Sequence, residues 1–166
     1  AFIDLLFAFP AILLALAIIA VMGPGLTNTM IAVGVATAPS FARVIRGSTL
    51  EIRERVYVEA ARALGAPHWR LLARHIGANI VSPVLVLVTL QFPAALLSAA
   101  ALGFIGLGAQ PPQPEWGAML VSARNYLQRA PWMVNAPGFA IMLTVLGFNL
   151  IGNALRDVMD PTQRGA

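Results

Sequence analysis

Three long stretches of this chain carry no charged side chain: 5–42, 76–114 and 130–155. One helical crossing of a bilayer takes about 20 residues, so the first stretch is too long for one. Gly23-Pro24-Gly25 divides it, and such a triplet is a strong helix breaker. The pattern predicts spans over 5–22 and 28–45 joined by a tight turn, a third over 80–102 and a fourth over 137–155. Pro10 and Pro39 are expected to kink or shorten the first two, which membrane helices tolerate when neighbours satisfy the freed backbone groups. Gly103-Phe104-Ile105-Gly106-Leu107-Gly108 is expected to leave regular helix. The fold class is all-α: a polytopic transmembrane bundle of about four spans, one domain over 1–166.

Two polar segments interrupt the pattern. In 47–78, Ser48 and Glu51 fit a capping box. Glu51–Arg55 and Arg55–Glu59 are i,i+4 pairs and Glu59–Arg62 an i,i+3 pair, each contributing a few tenths of a kcal/mol. Gly65 is placed to end that helix in a left-handed conformation, and Pro67 to open a second short helix. The prediction is helix–Gly turn–helix. Ala60, Ala61, Ala63 and Ala66 keep the elbow slim enough to enter a groove. In the second segment, 109–134, Pro111-Pro112-Gln113-Pro114 is stiff and extended. A helix over 116–129 then sets Trp116, Met119, Leu120, Ala123 and Leu127 on one face. With Trp116, Tyr126 and Trp132 as an aromatic belt, it reads as interfacial anchoring; gating or contact with a delivering partner is the alternative.

Composition agrees with a lipid environment. Of 166 residues, 58% are hydrophobic and only 11% charged, against about a quarter charged in soluble domains. Net charge +4 does not imply nucleic acid, because the arginines sit in loops between apolar runs. Seven of them lie between Arg43 and Arg74, against Arg124 and Arg129 in 109–134. The positive-inside rule therefore puts 47–78 and the C-terminus, with Arg156 and Arg164, in the cytoplasm and the 109–134 loop outside. All eleven basic residues are arginine and there is no cysteine. Without lysine there is no Walker A motif, so P-loop ATP hydrolysis belongs to another chain. Nor are there thiolate nucleophiles or cysteine metal sites. The first residues lack a basic n-region, with Asp4 where one is expected, so no cleavable signal peptide is read. The chain opens inside an apolar pattern and is expected to be part of a longer protein.

Catalytic chemistry finds little support. His68 and His75 lie seven apart without nearby carboxylates, which does not make a metal site. No nucleophile elbow brings a histidine to Ser82 or Ser98. The spans hold no interior Asp, Glu, Arg or His, groups that ion-driven transporters need at membrane depth. Most of the polar residues there, Asn28, Thr29, Thr37, Thr89 and Asn153 among them, are expected to bond helix to helix. Gln91, Ser98, Thr144 and Asn149 are the candidates for lining a translocation path.

Glu59-Ala60-Ala61 with Gly65 six residues after the glutamate resembles the loop by which membrane subunits of bacterial ABC importers dock onto their ATPases. The likeness continues in Leu6-Phe7-Ala8-Phe9-Pro10, Ala42-Arg43-Val44-Ile45-Arg46-Gly47, Gly103–Pro112, Glu115-Trp116-Gly117-Ala118-Met119-Leu120 and Leu155-Arg156-Asp157-Val158-Met159-Asp160-Pro161. As a set these are similar to the dipeptide, oligopeptide and nickel class of importer permeases, and to the second permease of the pair. Members carry about two further N-terminal spans. Gly77-Ala78 stand where the family usually has Leu-Pro, which is expected to loosen the hinge into the next span.

The resemblance implies a non-catalytic subunit of the bacterial inner membrane that needs no cofactor itself. It implies a homologous permease partner, two cytoplasmic ATPases carrying ATP and Mg, and an extracytoplasmic solute-binding protein. Glu59, Ala60, Ala61, Gly65 and Ala66 would couple the ATPase to alternating access for peptides, nickel or other small solutes. The rival readings are an intramembrane enzyme and a non-transporting membrane scaffold.

Overall fold

A computed structural model describes residues 9–159. Positions 5–8 of the first expected span, and Asp160, Pro161 and Arg164 near the C-terminus, lie outside them. The described residues are helical, without strands. Helix α1 (Ala11–Met22) follows Pro10, whose fixed φ of −54° suits a helix start. Gly23 and Gly25, at φ 84° and 152°, turn the chain into α2 (Leu26–Arg53). Asn28 steadies that turn by donating its amide to the carbonyls of Met22 and Gly23 at 2.9 and 3.1 Å. Then come α3 (Val56–Ala63), α4 (His68–Phe104), α5 (Trp116–Ala123), a 3-10 turn at Arg124–Tyr126, and α6 (Trp132–Met159).

Two of these, α4 and α6, are long and apolar enough to cross a membrane. Helix α1 has 12 residues, a length of roughly 18 Å at 1.5 Å per residue. Helix α2 does not stop near position 45. It runs on through Arg46, Ser48 and Glu51 to Arg53, so Ser48 and Glu51 lie inside a helix and form no capping box. Nothing in 46–53 breaks a helix, and the Glu51 carboxylate supports it by accepting from Arg55 at 2.7 Å.

Helix α4 is the hub. Helices α2, α5 and α6 all pack against it, and α1 packs on α2. Ala15 and Ile19 of α1, Ala32 and Val33 of α2, and Leu102 of α4 form the main buried cluster. Small residues set the approach distances. A Cβ on Gly117 of α5 would stand 2.1 Å from the Ala100 carbonyl oxygen, and one on Gly152 of α6 would stand 2.9 Å from Leu90. Phe92 and Phe148 stack across the α4–α6 seam with centroids 3.9 Å apart. Most other apolar side chains of α6, including Leu143, Leu146 and Leu150, face outward, as suits a helix solvated by lipid or by another chain.

The segment expected to lie at the outer interface packs on the bundle. Helix α5 ends at Ala123, and its Gly117 and Ala123 are buried against α4 and α6. Met119 and Leu127 of the expected stripe are exposed. Glycine at 117 removes the side chain that would keep two backbones apart, which lets α5 contact α4 closely.

Candidate functional site: a coupling elbow

The polar segment folds as a compact elbow with its own small core. Val58 on α3, Leu71 and Ile76 on α4, and Ile52 at the end of α2 are buried together, with Ala61, Ala66 and Ile80 packed against them. Each such side chain contributes about 1.5–3 kcal/mol when fully buried, enough to hold an eight-residue helix that would not persist alone. Helix α3 ends in a Schellman motif. The Ala66 N–H donates to the Ala61 carbonyl at 3.1 Å, and the Gly65 N–H to Arg62 at 3.0 Å. Gly65 has φ 79°, a left-handed conformation that glycine adopts without Cβ strain. Ala61 and Ala66 are the apolar pair that accompanies this motif.

The remaining residues form the crest. Glu59, Ala60 and Gly65 are exposed. Leu64 beside Gly65 is 88% exposed, Val56 81% and Trp69 66%. The five nominated coupling residues thus divide by depth: Ala61 and Ala66 brace the elbow from inside, while Glu59, Ala60 and Gly65 present it. Sequence reasoning nominated the small residues and the acid. It passed over Leu64, Val56 and Trp69, whose signal was large apolar side chains among arginines.

Pro67, in extended conformation, starts the return helix. That helix is not short. It continues from His68 without a break to Phe104, passing through a π-helical stretch at Leu71–Gly77. A Cβ on Gly77 would stand 2.9 Å from the Leu72 carbonyl oxygen. Glycine there gives the wider turn room for its carbonyl, so Gly77-Ala78 lie within a continuous helix whose pitch changes at this point. His75 lies beside Tyr57, ring centroids 6.4 Å apart. Among the described residues no three His, Cys, Asp or Glu gather as metal ligands.

Of four cavities among the described residues, none has more than one of the four pathway candidates in its wall. Ser98 faces a crevice with Ala11, Ala15 and Thr37, and its hydroxyl donates to the Ala94 carbonyl at 2.8 Å. Thr144 donates likewise to Ala140 at 2.8 Å. Both protons are therefore used within their own helices. Thr144 and Asn149 stand about 140° apart around α6. Gln91 and Asn149 are half-buried and make no side-chain hydrogen bond among the described residues.

None of the four lines a cavity of about 590 Å³ between α2, α4 and α5, whose wall includes Met30, Gly34, Phe92, Ala99, Trp116 and Glu115. Glu115 and Thr29 are the polar residues that sequence reading underrated. Glu115 accepts from the N–H groups of Gly117 and Ala118 at 2.7 and 2.9 Å and caps α5. Its carboxylate lies against Gly103, where a Cβ would meet it at 2.1 Å. The 103–108 glycines followed by an acid were the available signal. Thr29, 1% exposed, donates to the Leu107 carbonyl at 2.9 Å and ties α2 to the loop after α4.

The chain, whose described residues are helical with two membrane-capable helices and a braced polar elbow, matches one family description over residues 1–165: binding-protein-dependent transport system inner membrane component. The chain belongs to that family. Such permeases are transport components rather than catalysts. A dipeptide transport system permease protein of Alkalihalophilus pseudofirmus is 50% identical over 161 residues, covering 97% of this chain and 53% of that protein. A glutathione transport system permease protein of Pectobacterium atrosepticum is 49% identical over 158 residues, 95% of this chain and 52% of its own length. Its counterpart in Escherichia coli O1:K1 is 49% identical over 162 residues, 98% and 54% respectively. The chain thus spans about half the length of the curated relatives it matches.

Proposed function

We propose that this permease chain forms part of the membrane pathway of an ATP-driven importer of short peptides, and that the elbow at 59–66 is the surface on which a partner ATPase docks. The observation that carries the reading is the division of the elbow. Its base is fixed by Val58, Leu71 and Ile76, while Leu64, Val56 and Trp69 stand exposed on a segment rich in charge. Large apolar side chains grouped on a polar surface mark protein contact sites. The arginine bias supports placing this surface in the cytoplasm, where an ATPase would meet it. The continuous helix from His68 to Phe104, with Pro83 and Pro93 inside it, would join elbow to bundle. Movement of the elbow by ATPase closure would shift the spans between two states that differ in partner contacts. A homologous permease, two ATPases bearing ATP and Mg, and a solute-binding protein complete the proposed assembly in a bacterial inner membrane.

The substrate class rests on the relatives, whose names specify dipeptide and glutathione. Gln91 and Asn149, with side-chain groups unspent among the described residues, are the better placed of the four candidates to meet such a solute.

Co-purification tests the docking reading. The full-length protein would be expressed with its genomic neighbours, extracted in mild detergent and compared with Gly65→Asp. Open space surrounds the position, and Asp tolerates left-handed backbone better than most residues, so the variant is expected to fold. Recovery of an ATPase by the wild type and its loss in the variant is the expected result. Equal recovery by both, or peptide uptake at wild-type rate by the variant, would end the assignment of this elbow.

A further inference from the structure

At the arginine-rich end of the bundle the last turns of α2 and α6 do not close onto α4. They leave a cavity of about 530 Å³, a size suited to a small ligand. Its wall is mixed. Arg55, Glu51, Arg156, Ser82 and Asn79 supply polar groups, and Ile52 and Val86 supply apolar ones. Glu51 is paired with Arg55 at 2.7 Å, so those two charges cancel. Arg156 has no hydrogen bond or ion pair among the described residues. Among the described residues the lining therefore carries one positive charge without a partner. Asn79 spends one amide N–H on the His75 carbonyl at 2.6 Å and keeps the other, and the Ser82 hydroxyl is unspent. An arginine in the last turn of a helix is favoured by that helix's own field. This accounts for Arg156 on α6, but not for its facing a cavity with two further donors.

The cavity's height in the bundle identifies the ligand. Helices α4 and α6 are the two long enough to cross a membrane. Their apolar runs give way to polar sequence at Arg74-His75 and at Arg156, so the cavity opens where lipid headgroups would lie. We infer that it binds the phosphate of an anionic phospholipid. Arg156, Ser82 and Asn79 hold the phosphate, and the first acyl carbons follow Ile52 and Val86 into the bundle. Basic pockets between helices on the cytoplasmic side are suited to such headgroups; the assignment rests on the cytoplasmic placement proposed above.

The test uses the full-length protein, extracted with its accompanying subunits and delipidated. It is incubated with dioctanoyl phosphatidylglycerol, dioctanoyl phosphatidylcholine or inorganic phosphate, and retention is counted by native mass spectrometry. Phosphatidylglycerol should be retained over phosphatidylcholine. Arg156→Gln should weaken retention about tenfold, as loss of one charge-assisted contact implies, and Arg156→Lys should keep most of it. Ser82→Ala provides a second, uncharged perturbation with a smaller loss in the same direction. Equal retention of the two lipids, or no change in either Arg156→Gln or Ser82→Ala, would overturn the site. Inorganic phosphate that displaces the lipid at equal concentration would also overturn it, in favour of a soluble phosphate ligand. Retention is read without ATP or transport, so its failure leaves the docking result standing, and a failure of docking leaves retention unaffected.

Discussion

Gly117→Ala is the most direct challenge to the described packing. A Cβ at this position would lie 2.1 Å from the Ala100 carbonyl oxygen, 2.9 Å from its carbonyl carbon and 3.0 Å from its Cα. All three are backbone atoms of α4, so no side chain can rotate away. Helix α5 would have to retreat by roughly 1 Å, in a close-packed interior where one added methylene costs about 1–3 kcal/mol. The same substitution adds helix propensity worth up to about 1 kcal/mol. Overpacking wins, with a net loss of about 1–2 kcal/mol. Gly47→Ala is the matched control: Gly47 lies inside α2 with nothing within 4 Å of a built Cβ, so only the propensity gain remains. Thermal unfolding in detergent, followed by tryptophan fluorescence, reads both, since Trp116 lies on the helix that must move. The expected order is Gly47→Ala at or above wild type and Gly117→Ala below it. A Gly117→Ala protein as stable as wild type would refute the close α4–α5 contact.

Other expectations follow from single contacts. Glu115→Ala removes the acceptor for two N–H groups of α5 and should cost about 1–2 kcal/mol, with Glu115→Gln losing less; the same melts decide it. Val58→Ala should cost about 1–3 kcal/mol and release the elbow selectively. Hydrogen exchange should quicken over 56–63 while α6 stays protected, and uniform quickening would show that the elbow has no core of its own. Gly77→Ala should push the π turn toward α geometry, changing exchange over 71–77 and weakening ATPase recovery if the pitch of this connection matters to docking. Gln91→Ala and Asn149→Ala should leave stability within about 0.5 kcal/mol, as for substitutions away from packed features, and alter peptide uptake; unchanged uptake in both would remove them from the pathway.

The apolar stretches alone pointed to membrane helices, because lipid admits only helices and closed barrels, and long charge-free runs without polar alternation do not suit barrel strands. The turn at Gly65 was legible for a local reason: glycine is the residue that turns left-handed without strain. Depth was not legible. Ala60 and Ala61 are chemically identical neighbours, yet one is exposed and the other packs beneath the elbow, and only the position of α3 over Leu71 separates them. Helix boundaries near Ser48 and at 68–77 also lay beyond the sequence. A capping box and a continuing helix use the same residue types, and the choice is made by what the helix packs against. The pathway candidates show the same limit. Seven positions separate Gln91 and Ser98 on one face of α4, but Thr144 and Asn149 sit on another helix, and which polar groups meet depends on how α6 crosses α4. The tertiary structure likewise assigned Glu115 its place, because a carboxylate can lie against Gly103 only once α5 has folded back onto α4.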